Sequence, residues 1–253
     1  MNIAISNIAW NGSQELQVFE LLQRNNVEFV EVAFTKICDW DNISTKHVAD
    51  YRKKLQRFGL SPCNVQSLMY GKDFNIFENP QAARKHFKLI FELSQELGAR
   101  NLVFGSPKNR ISKGGQVDEL SFEHLLDFVE NELQGTEIKF NIECNPKIYG
   151  CNFITTPSQA IRYSKNRKNI GFHLDTACCE LSKEPIDGCQ IDSVHISEPY
   201  LNNFDEPSSY HEKYRNLLHK SQYRDIISIE MKETNLQSIE NAIKFVKSEY
   251  LNK

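Results

Sequence analysis

Four residues of this chain invite a chemical reading: Glu143 in "NIECNP", Asp175 in "HLDTAC", His195 in "VHISEP" and Glu230 in "SIEMKE". Each closes or interrupts a short run of β-branched and aromatic residues, the pattern of a buried strand. An acid at one strand end is ordinarily a loop residue or a helix cap, and a single His in a strand is ordinarily a hydrogen-bonded core residue. Two Glu, one Asp and one His at comparable positions on four successive strands form a different object. Buried carboxylates set side by side repel, and burying each charge is costly unless something pairs with it. A divalent cation does that pairing. Three carboxylates and an imidazole suit Mn²⁺, Mg²⁺, Co²⁺ or Zn²⁺, with coordination positions left for substrate oxygens.

The elements that must position these residues repeat along the chain. Strand-like runs "NIAIS", "EFVEVAF", "NVQSLM", "NLVFG", "IKFNIE", "IGFHLD", "SVHIS" and "IISIE" alternate with helix-like runs. Several helices carry their own punctuation. Asn79-Pro80 opens one that Gly98 stops, and Thr156-Pro157 opens another. Ser44 or Thr45 starts a third, closed by Gly59, and Ser121 starts a fourth, ended by Gly135. Thr234 with Gln237 fits a capping box before a helix whose Ile239, Ala242, Ile243 and Val246 share one face. Strands and helices alternating singly argue for a parallel sheet, and eight units in 253 residues predict one (β/α)8 barrel domain spanning 1–253. An open doubly wound sheet fits less well, because the first turn, "SNIAWNGS", has no GxGxxG. Only "TACCELSKEPIDGCQIDS" joins the sixth and seventh strands, so the helix there is expected to be short or missing.

In such barrels chemistry sits at the C-terminal ends of the strands, which widens the set of candidates. Glu31, Gln66 and His173 lie inside otherwise apolar strands with inward parity, as substrate contacts or as a core polar network. Trp10, Trp40, Tyr149 and Phe153 follow strands and are candidates for an apolar wall. Lys36 follows the second strand. Lys108, Arg110 and Lys113 form a basic loop after the fourth, able to grip a phosphate or carboxylate.

Taken in order, "NIAISNIAW", "VEFVEVAFTKI", "NVQSLMYG", "ARNLVFGSPKNR", "NIECNPKIYGCNF", "HLDTAC", "VHISEPYL" and "SIEMK" resemble the xylose isomerase-like TIM-barrel superfamily of sugar and sugar-phosphate isomerases and epimerases. The resemblance covers essentially the whole chain. It implies one divalent metal held by Glu143, Asp175, His195 and Glu230, with Glu143 and Glu230 as the catalytic acid–base pair working through an enediolate. The His-x-x-Glu segment of ketose epimerases is matched by His195-Ile196-Ser197-Glu198, which implies that Glu198 lies near substrate. The relatives' second His, three residues after the Asp, is Cys178 here. His173 and His211 are the candidates to take over its contact, and Gln66, Lys108 and Trp10 complete the expected substrate-binding set.

Nothing in a net charge of −3 suggests a nucleic-acid footprint, and no apolar run reaches membrane-spanning length. The opening "MNIAISNIAW" lacks a signal pattern, and seven cysteines without a CxxC pair read as reduced thiols. The expectation is therefore a cytoplasmic protein acting on a small sugar or sugar phosphate, with a homo-oligomer left open. Rival readings are a keto-polyol dehydratase or lyase, a non-catalytic sugar-binding barrel, and a metal-dependent endonuclease. The last needs a multi-metal cluster with more His ligands than the seven in the chain supply, since His47, His86 and His124 fall in helices by pattern.

Overall fold

In the computed structural model, residues 1–186 and 188–251 are described. Eight parallel strands pair each with the next in chain order, and the first pairs with the last, closing a barrel. They are β1 (Asn2–Ser6), β2 (Phe29–Ala33), β3 (Ser61–Gln66), β4 (Asn101–Phe104), β5 (Lys139–Glu143), β6 (Ile170–Asp175), β7 (Ser193–Ser197) and β8 (Ile226–Glu230). Helices α1 (Glu15–Arg24), α2 (Thr45–Arg57), α3 (Pro80–Leu97), α4 (Gln116–Leu133), α5 (Pro157–Ser164), α6 (Thr176–Ser182), α7 (His211–Lys220) and α8 (Leu236–Val246) follow the strands in turn. The sixth, at seven residues, is the short helix that the connection length predicts. No helix among the described residues is long and apolar enough to cross a membrane.

Alternation along each strand sorts the side chains. One set, including Phe104, Phe140, Phe172, Val194, Ile227 and Ile229, is fully buried and belongs to the apolar core beneath the helices. The other set points into the barrel and is largely polar. Asn64, Asn101, Asn141, Ser193 and His173 form one hydrogen-bonded chain across five strands. Asn101 Nδ2 donates to Asn64, Asn141 Nδ2 donates to Asn101 and Ser193, and His173 Nδ1 lies 2.7 Å from Ser193 Oγ. Polar residues can fill this interior because each finds partners on the next strand.

Two helix starts differ from the sequence expectation. The fourth helix begins at Gln116 rather than Ser121. Two glycines with positive φ, Gly114 and Gly115, precede it, and Asp118 and Glu119 occupy its first turn, where the helix dipole favours acids. The eighth is capped by Asn235, whose side chain accepts from Ser238 N at 3.0 Å, not by Thr234. Its apolar face, Ile239, Ala242, Ile243 and Val246, is fully buried as expected. At Gly98 the chain turns left-handed (φ 80°) and ends α3.

Candidate metal centre and cavity

The ends of β5 to β8 are staggered. Asp175 pairs in register with His195, but Glu143 pairs with His173 and Glu230 pairs with Ser197. The inward parity of all four residues then brings the side chains together. His195 Nδ1 lies 3.2 Å from Glu230 Oε2 and 3.8 Å from Asp175 Oδ2. The donor atoms of Asp175, His195 and Glu230 all fall within 4.8 Å of one another, and so do those of Glu143, Asp175 and Cys178.

Neighbouring polar groups hold these side chains in place. Asp175 caps α6 by accepting from Cys178 N at 2.6 Å, and its other oxygen accepts from Ser197 Oγ at 2.7 Å. Asn145 Nδ2 donates to Glu143 Oε1 at 2.6 Å. Gly105 leaves room for that carboxylate, since a Cβ there would collide with Glu143 Oε2. On the far side of the imidazole, Nε2 lies 2.8 Å from Glu31 Oε2, which also accepts from Ser228 Oγ at 2.6 Å.

Charge is concentrated and deeply buried. Burial, then the charges of Asp175 and Glu230, push the Glu143 carboxyl up to about 8. Burial and Glu230 raise Asp175 as well. For His195 burial alone would lower the value, but Glu31 and Glu230 outweigh it and hold the ring well above the usual histidine range. Crowded carboxylates that resist ionisation are an environment that a cation relieves. Neither His195 nitrogen makes a well-aligned hydrogen bond among the described residues, although Nε2 faces Glu31 and Nδ1 faces Glu230 and Asp175. A donor set of three carboxylates and this imidazole fits a divalent cation.

Above this cluster opens a cavity of about 370 Å³. Its described lining includes the carboxylates of Glu143, Asp175, Glu198 and Glu230, and no Lys, Arg or His. Gln66 lines it too, donating from Nε2 to Ser6 Oγ at 2.5 Å. Tyr149 and Tyr200 meet edge to face at the wall, with centroids 5.7 Å apart, and Tyr200 N donates to Tyr149 Oη at 3.0 Å. Glu198 is fixed by Ser208, whose N and Oγ donate at 2.7 and 2.6 Å, and by His211 Nε2 at 2.9 Å. Burial would raise the Glu198 carboxyl, but these hydrogen bonds prevail and hold it below the ordinary glutamate value.

Several expected substrate contacts lie elsewhere. Trp10 is fully buried against Phe19, at 6.3 Å between centroids, because it belongs to the apolar layer between barrel and helices. His173 sits one pleat deeper than Asp175, on Ser193, and its ring meets that of His195 edge to face at 4.1 Å. His211 reaches the cavity only through Glu198, and Tyr250 holds its other nitrogen at 2.7 Å. Lys108 is exposed and outside the cavity lining. In the same loop, Arg110 is buried over the Phe104 ring, and Lys113 pairs with Glu78 at 2.8 Å. Lys36 pairs with Glu233, Trp40 Nε1 donates to Tyr70 O, and Phe153 packs on Phe122. Ser197 and Asn145 support the site without being among its expected residues. Each stands two residues after a site residue (His195 and Glu143) and so shares its face, which is the signal that would have found them.

Fold and site together define a parallel (β/α)8 barrel with an acidic, cation-compatible centre at the C-terminal ends of its strands. The particular family is given by a family model, described as xylose isomerase-like TIM barrel, that matches residues 19–249; the chain belongs to that family. No curated protein sequence matches the chain. Among solved structures it is similar to D-psicose 3-epimerase in the presence of D-fructose, at 13% identity over 100% of both chains with a TM-score of 0.78. It is similar to AP endonuclease, family 2, from Brucella melitensis, at 17% identity over 98% of this chain and 99% of that one, with a TM-score of 0.77. The IOLI protein with a binding zinc atom aligns over 100% of both chains at 17% identity and a TM-score of 0.75.

Proposed function

We propose that the protein is a divalent-metal-dependent isomerase or epimerase of a keto sugar. The observation that carries this reading is the crowding of donor atoms beside the cavity: Asp175, His195 and Glu230 lie within 4.8 Å of one another, and Glu143 and Cys178 lie within that distance of Asp175. Glu143, Asp175, His195 and Glu230 would hold the cation, and Glu31 would orient the imidazole. When bound, the cation supplies charge stabilisation to adjacent carbonyl and hydroxyl oxygens and so acidifies the intervening C–H bond. Glu143 and Glu230 stand on β5 and β8, on either side of Asp175 and His195. One takes the proton from the carbon beside the carbonyl, and the other returns a proton to the enediolate. Glu198, rigidly held by Ser208 and His211, accepts a sugar hydroxyl, and Gln66 offers a second polar contact. Tyr149 and Tyr200 wall the mouth and limit the entry of water.

The lining favours an unphosphorylated sugar. A phosphate entering this cavity would meet four carboxylates and no cationic side chain among the described lining residues. The epimerase likeness supports a sugar, and the zinc in the similar IOLI protein supports a metal. An endonuclease reading finds less support. His173 and His211 are spoken for by Ser193, Glu198 and Tyr250, and the cavity is acidic where a DNA backbone would need positive charge.

The test is exchange of substrate hydrogen. Metal-loaded protein is incubated in D₂O with a panel of keto sugars and their phosphates, and proton NMR follows deuterium incorporation and product identity. Deuterium at the carbon beside the carbonyl of a neutral sugar, with an epimer or aldose as product, is the expected result. A dehydrated product would instead establish the lyase. Absence of exchange in every sugar, with metal bound, would overturn the proposal.

A further inference from the structure

The cavity holds one thiol that the proposed reaction does not use. Cys178 follows Asp175 by one helical turn, and Asp175 fixes its backbone N–H at 2.6 Å. Its Sγ faces β5 and lies 3.5 Å from Glu143 Oε1. Two donor triples therefore overlap on one carboxylate. Asp175, His195 and Glu230 offer oxygen and nitrogen only, whereas Glu143, Asp175 and Cys178 add sulfur. The His195 ring of the first triple is fully buried among carboxylates, and neither of its nitrogens makes a well-aligned hydrogen bond among the described residues. Cys144 and Cys179, whose sulfurs lie 3.9 Å apart, are fully buried and outside the cavity lining, so neither competes with Cys178 for that position.

We propose that Cys178 makes this centre discriminate between cations by softness, holding hard ions through Glu143, Asp175, His195 and Glu230 but adding its own sulfur as a ligand to thiophilic ions. The inference rests on the metal reading of the site given above. Mg²⁺ and Mn²⁺ prefer oxygen and have little affinity for sulfur, whereas Zn²⁺ and Cd²⁺ favour thiolate. When such an ion enters, the S–H bond breaks, a metal–sulfur bond forms, and the proton leaves to solvent.

The experiment is optical. The full chain, stripped of metal by a chelator, is titrated with Co²⁺ while absorption is followed. The expected spectrum has visible d–d bands and a near-ultraviolet thiolate-to-cobalt charge-transfer band. Cys178→Ser should keep the first and lose the second, and Cys38→Ser should keep both. Calorimetry should show Cd²⁺ affinity falling by at least roughly 10-fold in Cys178→Ser, the scale on which a metal site responds to losing a supporting group, with Mn²⁺ affinity unchanged. Cys178→Ala replaces the serine variant if the latter fails to fold. Bands in the visible without a charge-transfer band in the unmodified protein would overturn the proposal, as would a charge-transfer band that persists in the Cys178 variants. A chain that binds neither Co²⁺ nor Mn²⁺ would remove the metal reading itself.

Discussion

Glu31 Oε2 stands 2.8 Å from His195 Nε2, across the inside of the barrel from one strand wall to another. Both side chains are fully buried, and Ser228 Oγ donates to the same Glu31 oxygen. With Nε2 directed at a carboxylate, Nδ1 is left facing Asp175 and Glu230. A histidine that ligates a metal commonly has its second nitrogen held by a carboxylate, which fixes the tautomer and the ring orientation. On the proposed metal reading Glu31 is a positioning residue for the centre, although it does not line the cavity.

Glu31→Gln keeps the volume of the side chain and removes its charge. Metal affinity is expected to fall about 10- to 100-fold. Calorimetric titration with Mn²⁺ measures it, and circular dichroism checks that the barrel is retained. Unchanged affinity would remove Glu31 from the centre.

Glu230→Gln should leave the fold intact, because the residue lies at the open end of β8 and is not in the apolar core. Stabilisation by a bound ion follows from linkage and vanishes when the ion no longer binds. Thermal melts with and without Mn²⁺ should therefore differ in the unmodified protein and coincide in the variant.

Gly105→Ala tests how closely the Glu143 carboxylate is placed. The added Cβ would overlap Glu143 Oε2 and lie 3.1 Å from Cδ, so the carboxylate must move. Displacing a reacting group by about 1 Å can cost on the order of 100-fold in rate. Steady-state kinetics should show a loss of that order in kcat, with a melting temperature close to that of the unmodified protein.

Ser208→Ala removes one of the hydrogen bonds that hold Glu198. Loss of a bond to a buried charged acceptor costs roughly 1.5–3 kcal/mol. The Glu198 carboxyl is depressed in the folded protein, so the stability it contributes is present above its unfolded value, about 4.5, and is lost as pH falls through the folded value. The gap between unmodified protein and variant in urea unfolding should be full at pH 7 and close progressively in acid below pH 4.5. A gap that persists undiminished in acid would mean the serine acts through packing rather than through Glu198.

Local chemistry carried most of the architecture. The eight strands, the prolines and Gly98 around α3, the buried face of α8 and the brevity of α6 all follow from short-range periodicity, capping and connection length. Residue parity also put Glu143, Asp175, His195 and Glu230 on the inner face, because a strand's alternation depends on nothing beyond the strand. What parity cannot supply is depth and direction around the axis. Those depend on how closure staggers the strands, and the stagger decided which polar residues meet. It set Glu143 level with His173 rather than Asp175, sank His173 beneath the centre, and carried Glu31 across to His195. Trp10 went to the apolar layer, where it packs edge to face on Phe19 of α1. His211 meets Glu198 because the loop after β7 folds back on that carboxylate through Ser208, and Cys178 stands beside Glu143 because Asp175 caps α6 and the barrel sets β5 next to β6. The sequence by itself determined the barrel and the inward set of acids; only tertiary closure decided which of those acids stand together, and which thiol stands beside them.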